Sequence, residues 1–317
     1  MTPTPAADHR RLSTALGQLS GIPYTKGHGT GNDFVLVPDA EGTLELSPDH
    51  VRALCDRHRG VGADGLIRVV RSAQLPEGRD QLAAHPGATW FMDYRNADGS
   101  VAEMCGNGVR VFVHYLLSRG WADPAPGEPL VIGTRAGVRA VSRHGDGYAT
   151  DMGPWAYLDL ELAEENAADS LVLAAGVTDP RPALSLSLGN PHTVVALPEV
   201  QDLQALDLTV APSVEPAPPE GSNVEFVVPA DPLFHEGVGR LRMRVHERGV
   251  GETQSCGTGA CAAATAVRLW AGDPEARQWL VDVPGGTVGV EFVPQADGTE
   301  RVILSGPAVL VSDGTVL

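Results

Sequence analysis

The chain has 317 residues, 43% of them hydrophobic, and a formal net charge of −17. Its length allows a sizeable core and divides into about two domains of ordinary size. The acidic balance disfavours sequence-independent hold on nucleic acid or anionic lipid, which needs clustered Lys and Arg, and no run approaches the roughly 20 apolar residues of a membrane span.

The first twenty or so residues are rich in Pro, Ala, Ser and Thr, without sustained periodicity and without the apolar run of a secretory signal. A flexible extension over 1–21, ordered structure from Ile22 and a cytosolic protein are therefore expected. Short β-rich runs follow at 33–38, 65–71, 184–189, 223–229, 240–246 and 301–306. Two segments rich in Pro, Gly and charge, Arg71 to Ala88 and Ala211 to Ser222, are expected to be long surface loops. Apolar spacing near 3.6 with a closing Gly predicts helices over Val109 to Trp121 and Ala260 to Gly272.

Both helices follow a Cys-Gly-x-Gly loop: Glu103-MCGNGVR-Val111 and Gln254-SCGTGAC-Ala262. Four cysteines are too few for a disulfide scaffold in a chain this long, and none forms a C-x-x-C pair of the zinc type. Cys105 and Cys256 lie about half the chain apart, so two similar half-domains would present two similar loops. Cys55 and Cys261 stand outside this repeat and read as buried structural thiols.

Inverting a carbon that bears a hydrogen needs one group to remove the proton from one face and another to deliver a proton to the other. Two thiols can divide that work, one as thiolate base and one as thiol acid. A helix N-terminus favours the thiolate, which predicts lowered thiol pKa values, and its N–H groups can hold a substrate carboxylate that Gly106, Gly108, Gly257 and Gly259 allow to come close. No cofactor is evident: there is no Walker A or G-x-G-x-x-G loop, and Lys26 is the only lysine, beside His28, available for a pyridoxal Schiff base.

The segments Tyr24–Val35, Gly60–Leu66, Tyr94–Val111, Gly189–Thr193, Gly221–Val227 and His246–Ala262 together resemble the diaminopimelate epimerase family over nearly the whole chain from Tyr24 onward. The resemblance implies an α/β fold of two pseudo-symmetric domains, each a curved, mostly antiparallel sheet around a central helix, over 22–150 and 151–301, with a strand at 302–317 returning to the first. It implies an active site in the cleft between domains, a homodimer as the family expectation, and cofactor-independent interconversion of LL- and meso-diaminopimelate, a lysine and peptidoglycan precursor. Cys105 and Cys256 would be the acid/base pair, with His192 and Glu247 beside the thiols. The amides of Gly106, Asn107, Gly257 and Thr258 would surround the reacting carboxylate. Asn32, Asn96, Asn190, Asn223 and Arg248 would hold the distal amino-acid head, Arg248 by a bidentate grip that a single-headed substrate would leave unpaired.

One departure stands out: many relatives carry Gln after the Asp of the Gly-x-Gly-x-Asp segment, where this chain has Gly65 after Asp64. The alternatives are another two-cysteine racemase or isomerase, of the proline or phenazine-biosynthesis kind, and a non-catalytic amino-acid-binding protein.

Overall fold

A computed structural model describes residues 5–317. The chain forms two compact units, one ending at Thr150 and completed by Pro307–Leu317, the other Asp151–Gly306.

The first unit begins with a helix, α1 (Pro5–Gln18), where a flexible extension is expected from composition; residues 1–4 of that extension lie outside the described residues. Leu12 and Ala15, with Leu19 just past the helix end, form a buried stripe against Ala53 and Leu54 of α2 (Pro48–Cys55), and Arg11 pairs with Asp49. Three small apolar contacts per few turns are too faint a pattern to outweigh the Pro and Ser content, which is why the sequence points elsewhere. The expected loop at 71–88 also differs: a 3₁₀ turn at Ser72–Gln74 and α3 (Pro76–Ala84) occupy it. Pro76 stands at the first turn, where its missing N–H costs nothing.

Numbering strands along the chain, the unit contains β1 (Pro23–Gly29), β2 (Asn32–Pro38), β3 (Gly65–Arg71), β4 (Trp90–Asn96), β5 (Leu130–Thr134), β6 (Gly137–His144), β7 (Gly147–Pro154) and the returning β19 (Val309–Thr315). The pairing order is β19–β1–β2–β3–β4–β5–β6–β7, antiparallel except at β2/β3 and β4/β5. A parallel pair needs a crossover, supplied first by the segment carrying α2 and then by α4 (Gly106–Ser118). Phe34, Leu36, Ile67, Val69 and Met92 face α4, while Val35, Val37 and Leu66 face α2. The sheet is therefore covered on both sides, which explains its unbroken apolar runs.

The second unit repeats the scheme. Its elements are β8 (Ala156–Tyr157), α5 (Leu160–Asn166), β9 (Ser170–Leu173), β10 (Arg181–Ser187), β11 (Pro191–Ala196), α6 (Val200–Ala205), β12 (Ser213–Glu215), β13 (Asn223–His235), β14 (Val238–Glu247), β15 (Gly251–Glu252), α7 (Gly257–Ala271), β16 (Gln278–Val283), β17 (Gly286–Pro294) and β18 (Glu300–Gly306). The run β10–β11–β13–β14–β16–β17–β18 is antiparallel except at β11/β13 and β14/β16, the same pattern as β1 to β7. Here α6 and α7 lie in the crossovers that α2 and α4 occupy in the first unit. Because β18 pairs with β17, the segment that joins the first unit starts at Pro307 rather than 302.

Leu19→Ala tests the docking of the N-terminal segment. It should lower unfolding stability by about 2–4 kcal/mol in urea titration; an unchanged midpoint would mean that the segment does not dock.

Candidate active site

Both central helices start on a cysteine. Cys105 is the N-cap of α4 and Cys256 that of α7, and each sulfur accepts the N–H three residues on, Gly108 and Gly259, at 3.4 Å. The helices thus begin at Gly106 and Gly257, one turn earlier than periodicity predicts, because glycines carry no apolar side chain to mark the first turn. The N–H groups of Gly106, Asn107, Gly257 and Thr258 belong to these first turns, where no helical carbonyl is available to them.

In the first unit, Cys105 is half-buried and its thiol donates to Asn32 Oδ1 at 3.5 Å. Asn32 Oδ1 also takes Asn107 Nδ2 at 3.3 Å, while Asn32 Nδ2 donates to Asp64 at 2.8 Å. Asn32 therefore links the Cys105 thiol, the Asn107 amide and the Asp64 carboxylate. Fully buried Arg110 fixes the helix start, donating to Asn107 Oδ1 at 2.7 Å, the Gly106 carbonyl at 3.1 Å and Thr30 at 3.2 Å. Behind Asn32, burial raises the Asp33 carboxyl, but the Arg57 and Lys26 cations beside it win and hold it low. Asn96 Nδ2 donates to Ser100 at 3.0 Å. A Cβ at Gly65 would lie 2.6 Å from Tyr94 Cε2 and 2.7 Å from the Arg95 carbonyl, so the Tyr94 ring fills the space that a glutamine there would need.

In the second unit, Cys256 is buried. Thr258 Oγ1 lies 3.6 Å from its sulfur and accepts from Asn190 Nδ2 at 3.5 Å. Asn190 Oδ1 is 3.0 Å from His192 Nε2, and His192 Nδ1 is 2.7 Å from Glu225 Oε1. Glu247 accepts a short hydrogen bond from Thr253. Burial first, then the Glu247 and Glu225 carboxylates, push the Cys256 thiol well above its ordinary value; the Thr258 hydroxyl and Gly259 N–H oppose this and lose. The direction at this cysteine is thus opposite to the lowering expected from a helix terminus, with desolvation its first cause.

Asn223 spends both amide ends on backbone, donating to the Pro191 carbonyl at 3.1 Å and accepting from Arg248 N at 3.0 Å, so it positions Arg248. The Arg248 side chain is 42% exposed, donates to the Glu220 carbonyl at 2.7 Å and stands 3.9 Å from the Glu220 carboxylate. It is not a buried orphan, which removes the expected penalty for a single-headed substrate, yet its fork remains suited to a carboxylate. Cys55 and Cys261 are buried as expected; burial pushes the Cys55 thiol up to about 12.

Glu225 is the residue that sequence reasoning passes over. It is fully buried in β13, among Val224, Phe226 and Val227. An acid interrupting an apolar strand was the available signal.

Against known proteins, the sequence profile of the diaminopimelate epimerase family matches residues 24–158 and 184–311. The diaminopimelate epimerase of Streptomyces coelicolor is 44% identical over 305 residues, 92% of this chain and 94% of its own. That of Thermobifida fusca is 46% identical over 297 residues, covering 92% and 97%. Among solved structures, a Bacillus anthracis phenazine biosynthesis protein of the PhzF family aligns at TM-score 0.67 and 18% identity over 93% of this chain and 99% of its own. A hydroxyproline epimerase from Agrobacterium vitis aligns at 0.60 and 14%, over 93% and 92%. These two share the fold. The sequence matches decide the family: the chain belongs to the diaminopimelate epimerases.

Proposed function

We propose that this protein interconverts LL- and meso-diaminopimelate, with Cys105 and Cys256 as the two acid/base groups. One observation carries the proposal: each of two like-folded units starts its central helix on a cysteine whose sulfur receives a backbone N–H. In this mechanism one thiolate takes the α-proton and the other thiol delivers a proton to the opposite face, leaving the ionised and neutral sulfurs exchanged. Burial first, then the nearby carboxylates, favour the neutral thiol at Cys256. As carbanion character grows, charge on the α-carboxylate is met by first-turn amides of Gly106, Asn107, Gly257 and Thr258.

Glu247 and His192 help set the protonation of the thiols, and Arg248, Asn96 and Asn190 hold the distal head. Asn32 and Asn223 act through Cys105 and Arg248, which they touch. The proposal extends to a homodimeric enzyme working in the cytoplasm. No described helix is long and apolar enough to cross a membrane.

Incubation with LL-diaminopimelate in heavy water, without added cofactor, should give α-deuterium and the meso isomer. Cys105→Ala and Cys256→Ala should each lose turnover by at least about 10²–10⁴-fold. No exchange from folded, reduced protein would discard this substrate and point to a single-headed amino acid.

Alkylation followed by mass spectrometry tests the state of Cys256. Its rate should rise only at pH above the ordinary thiol range of about 8.5. Removing a negative neighbour lowers a raised thiol, so Glu247→Gln should move that rise to lower pH. A midpoint at or below the ordinary value in the native enzyme would overturn the raised Cys256 thiol.

A further inference from the structure

The buried pair His192–Glu225 has a property that neither residue shows alone. Both side chains are fully buried, and both imidazole nitrogens face oxygen: Nδ1 is 2.7 Å from Glu225 Oε1 and Nε2 is 3.0 Å from Asn190 Oδ1. A neutral ring has one N–H and can satisfy one of these; the doubly protonated ring satisfies both. The shorter contact falls in the range of charge-assisted bonds. Glu225 Oε2 has no hydrogen-bond partner among the described residues. A buried carboxylate so little solvated calls for an opposite charge at contact distance, and the described residues place only His192 there.

Placement supports the same state. His192 lies beside Asn223 and Val194 beside Glu225 in the parallel β11/β13 register, so imidazole and carboxylate are diagonal neighbours on the sheet face that packs on α7. A Cβ on Gly259 would lie 2.6 Å from Glu225 Oε1, so the carboxylate sits against the first turn of α7, where negative charge is favoured and only glycine leaves room. From the ring the contacts run on through Asn190 and Thr258 to the Cys256 sulfur. The titratable groups grouped here are Glu225, His192, Glu247 and Cys256.

We propose that Glu225 is a positioning residue that holds His192 as an imidazolium and so orders the Asn190–Thr258 chain that ends on Cys256. Through the ring, Glu225 directs Asn190 and Thr258, the residues that lead to the Cys256 sulfur. The catalytic part of this role rests on the two-thiol function proposed above; the protonation state does not.

The test uses the full chain, labelled with nitrogen-15 in histidine, its His192 ring identified by the signal lost in His192→Gln. At neutral pH without substrate, the native ring should show protons on both nitrogens, and Glu225→Gln should leave a proton on one. In turnover of diaminopimelate, Glu225→Gln should lower kcat by about 10²-fold with KM within about threefold, the effect of removing a group that orients a catalytic partner. Glu225→Asp, which keeps the charge, should retain the doubly protonated ring and recover part of kcat, and serves if Glu225→Gln does not fold. A singly protonated ring in the native protein, or full kcat in a Glu225→Gln protein whose ring has lost its second proton, would overturn the proposal. A doubly protonated native ring in a protein inert towards diaminopimelate would uphold the pair and reject the substrate.

Discussion

A helix that starts inside a protein must find acceptors for N–H groups that no helical carbonyl can reach, and here sulfur is the acceptor. A neutral thiol is a poor N-cap beside Ser, Thr, Asp or Asn. A thiolate is a better one, because charge strengthens the bond from N–H and meets the positive helix end. The helix starts of α4 and α7 therefore gain as charge arrives on sulfur, and the sites are shaped around that fact. The glycines follow from the same need. Gly259 lies against both the Cys256 side chain and Glu225, and Gly108 against the Cys105 Cβ, so a methyl group at either would crowd the cap.

The two units share strand order and crossover positions but surround their sulfurs differently. Around Cys105 the neighbours are amides, Asn32 and Asn107, held in place by Arg110 and by the Asp64–Asp33–Arg57 cluster behind them. Around Cys256 they are the Thr258 hydroxyl and the Glu247 and Glu225 carboxylates. The repeated scaffold thus gives its two sulfurs unequal surroundings, and the difference lies in side chains rather than in fold.

The repeated Cys-Gly-x-Gly, the strand runs and the two central helices were legible in sequence, since each rests on local periodicity or on a turn residue with a fixed role. What escaped were facts of packing. α1 is held by Leu12, Ala15 and Leu19 meeting a helix some forty residues on, and composition hid it. The raised thiol of Cys256 depends on burial and on two acids from β13 and β14, which spacing does not reveal. The amides of Asn32 and Asn223 are directed at a thiol and at backbone, contacts that family position does not reveal.

Gly65 shows how the packing behind the first cysteine constrains a single position. A Cβ at that position would lie 2.6 Å from Tyr94 Cε2, and the Tyr94 and Phe34 ring centroids stand 5.8 Å apart in a T-shaped pair. Phe34 belongs to the core beneath α4, and Asn32, two residues before it on β2, holds Cys105. A large side chain at 65 would therefore displace Tyr94, and with it the packing that sets β2 and the Asn32 amide. Glycine on β3 and tyrosine on β4 are one solution to filling that space, and either residue constrains the other before substrate enters the question.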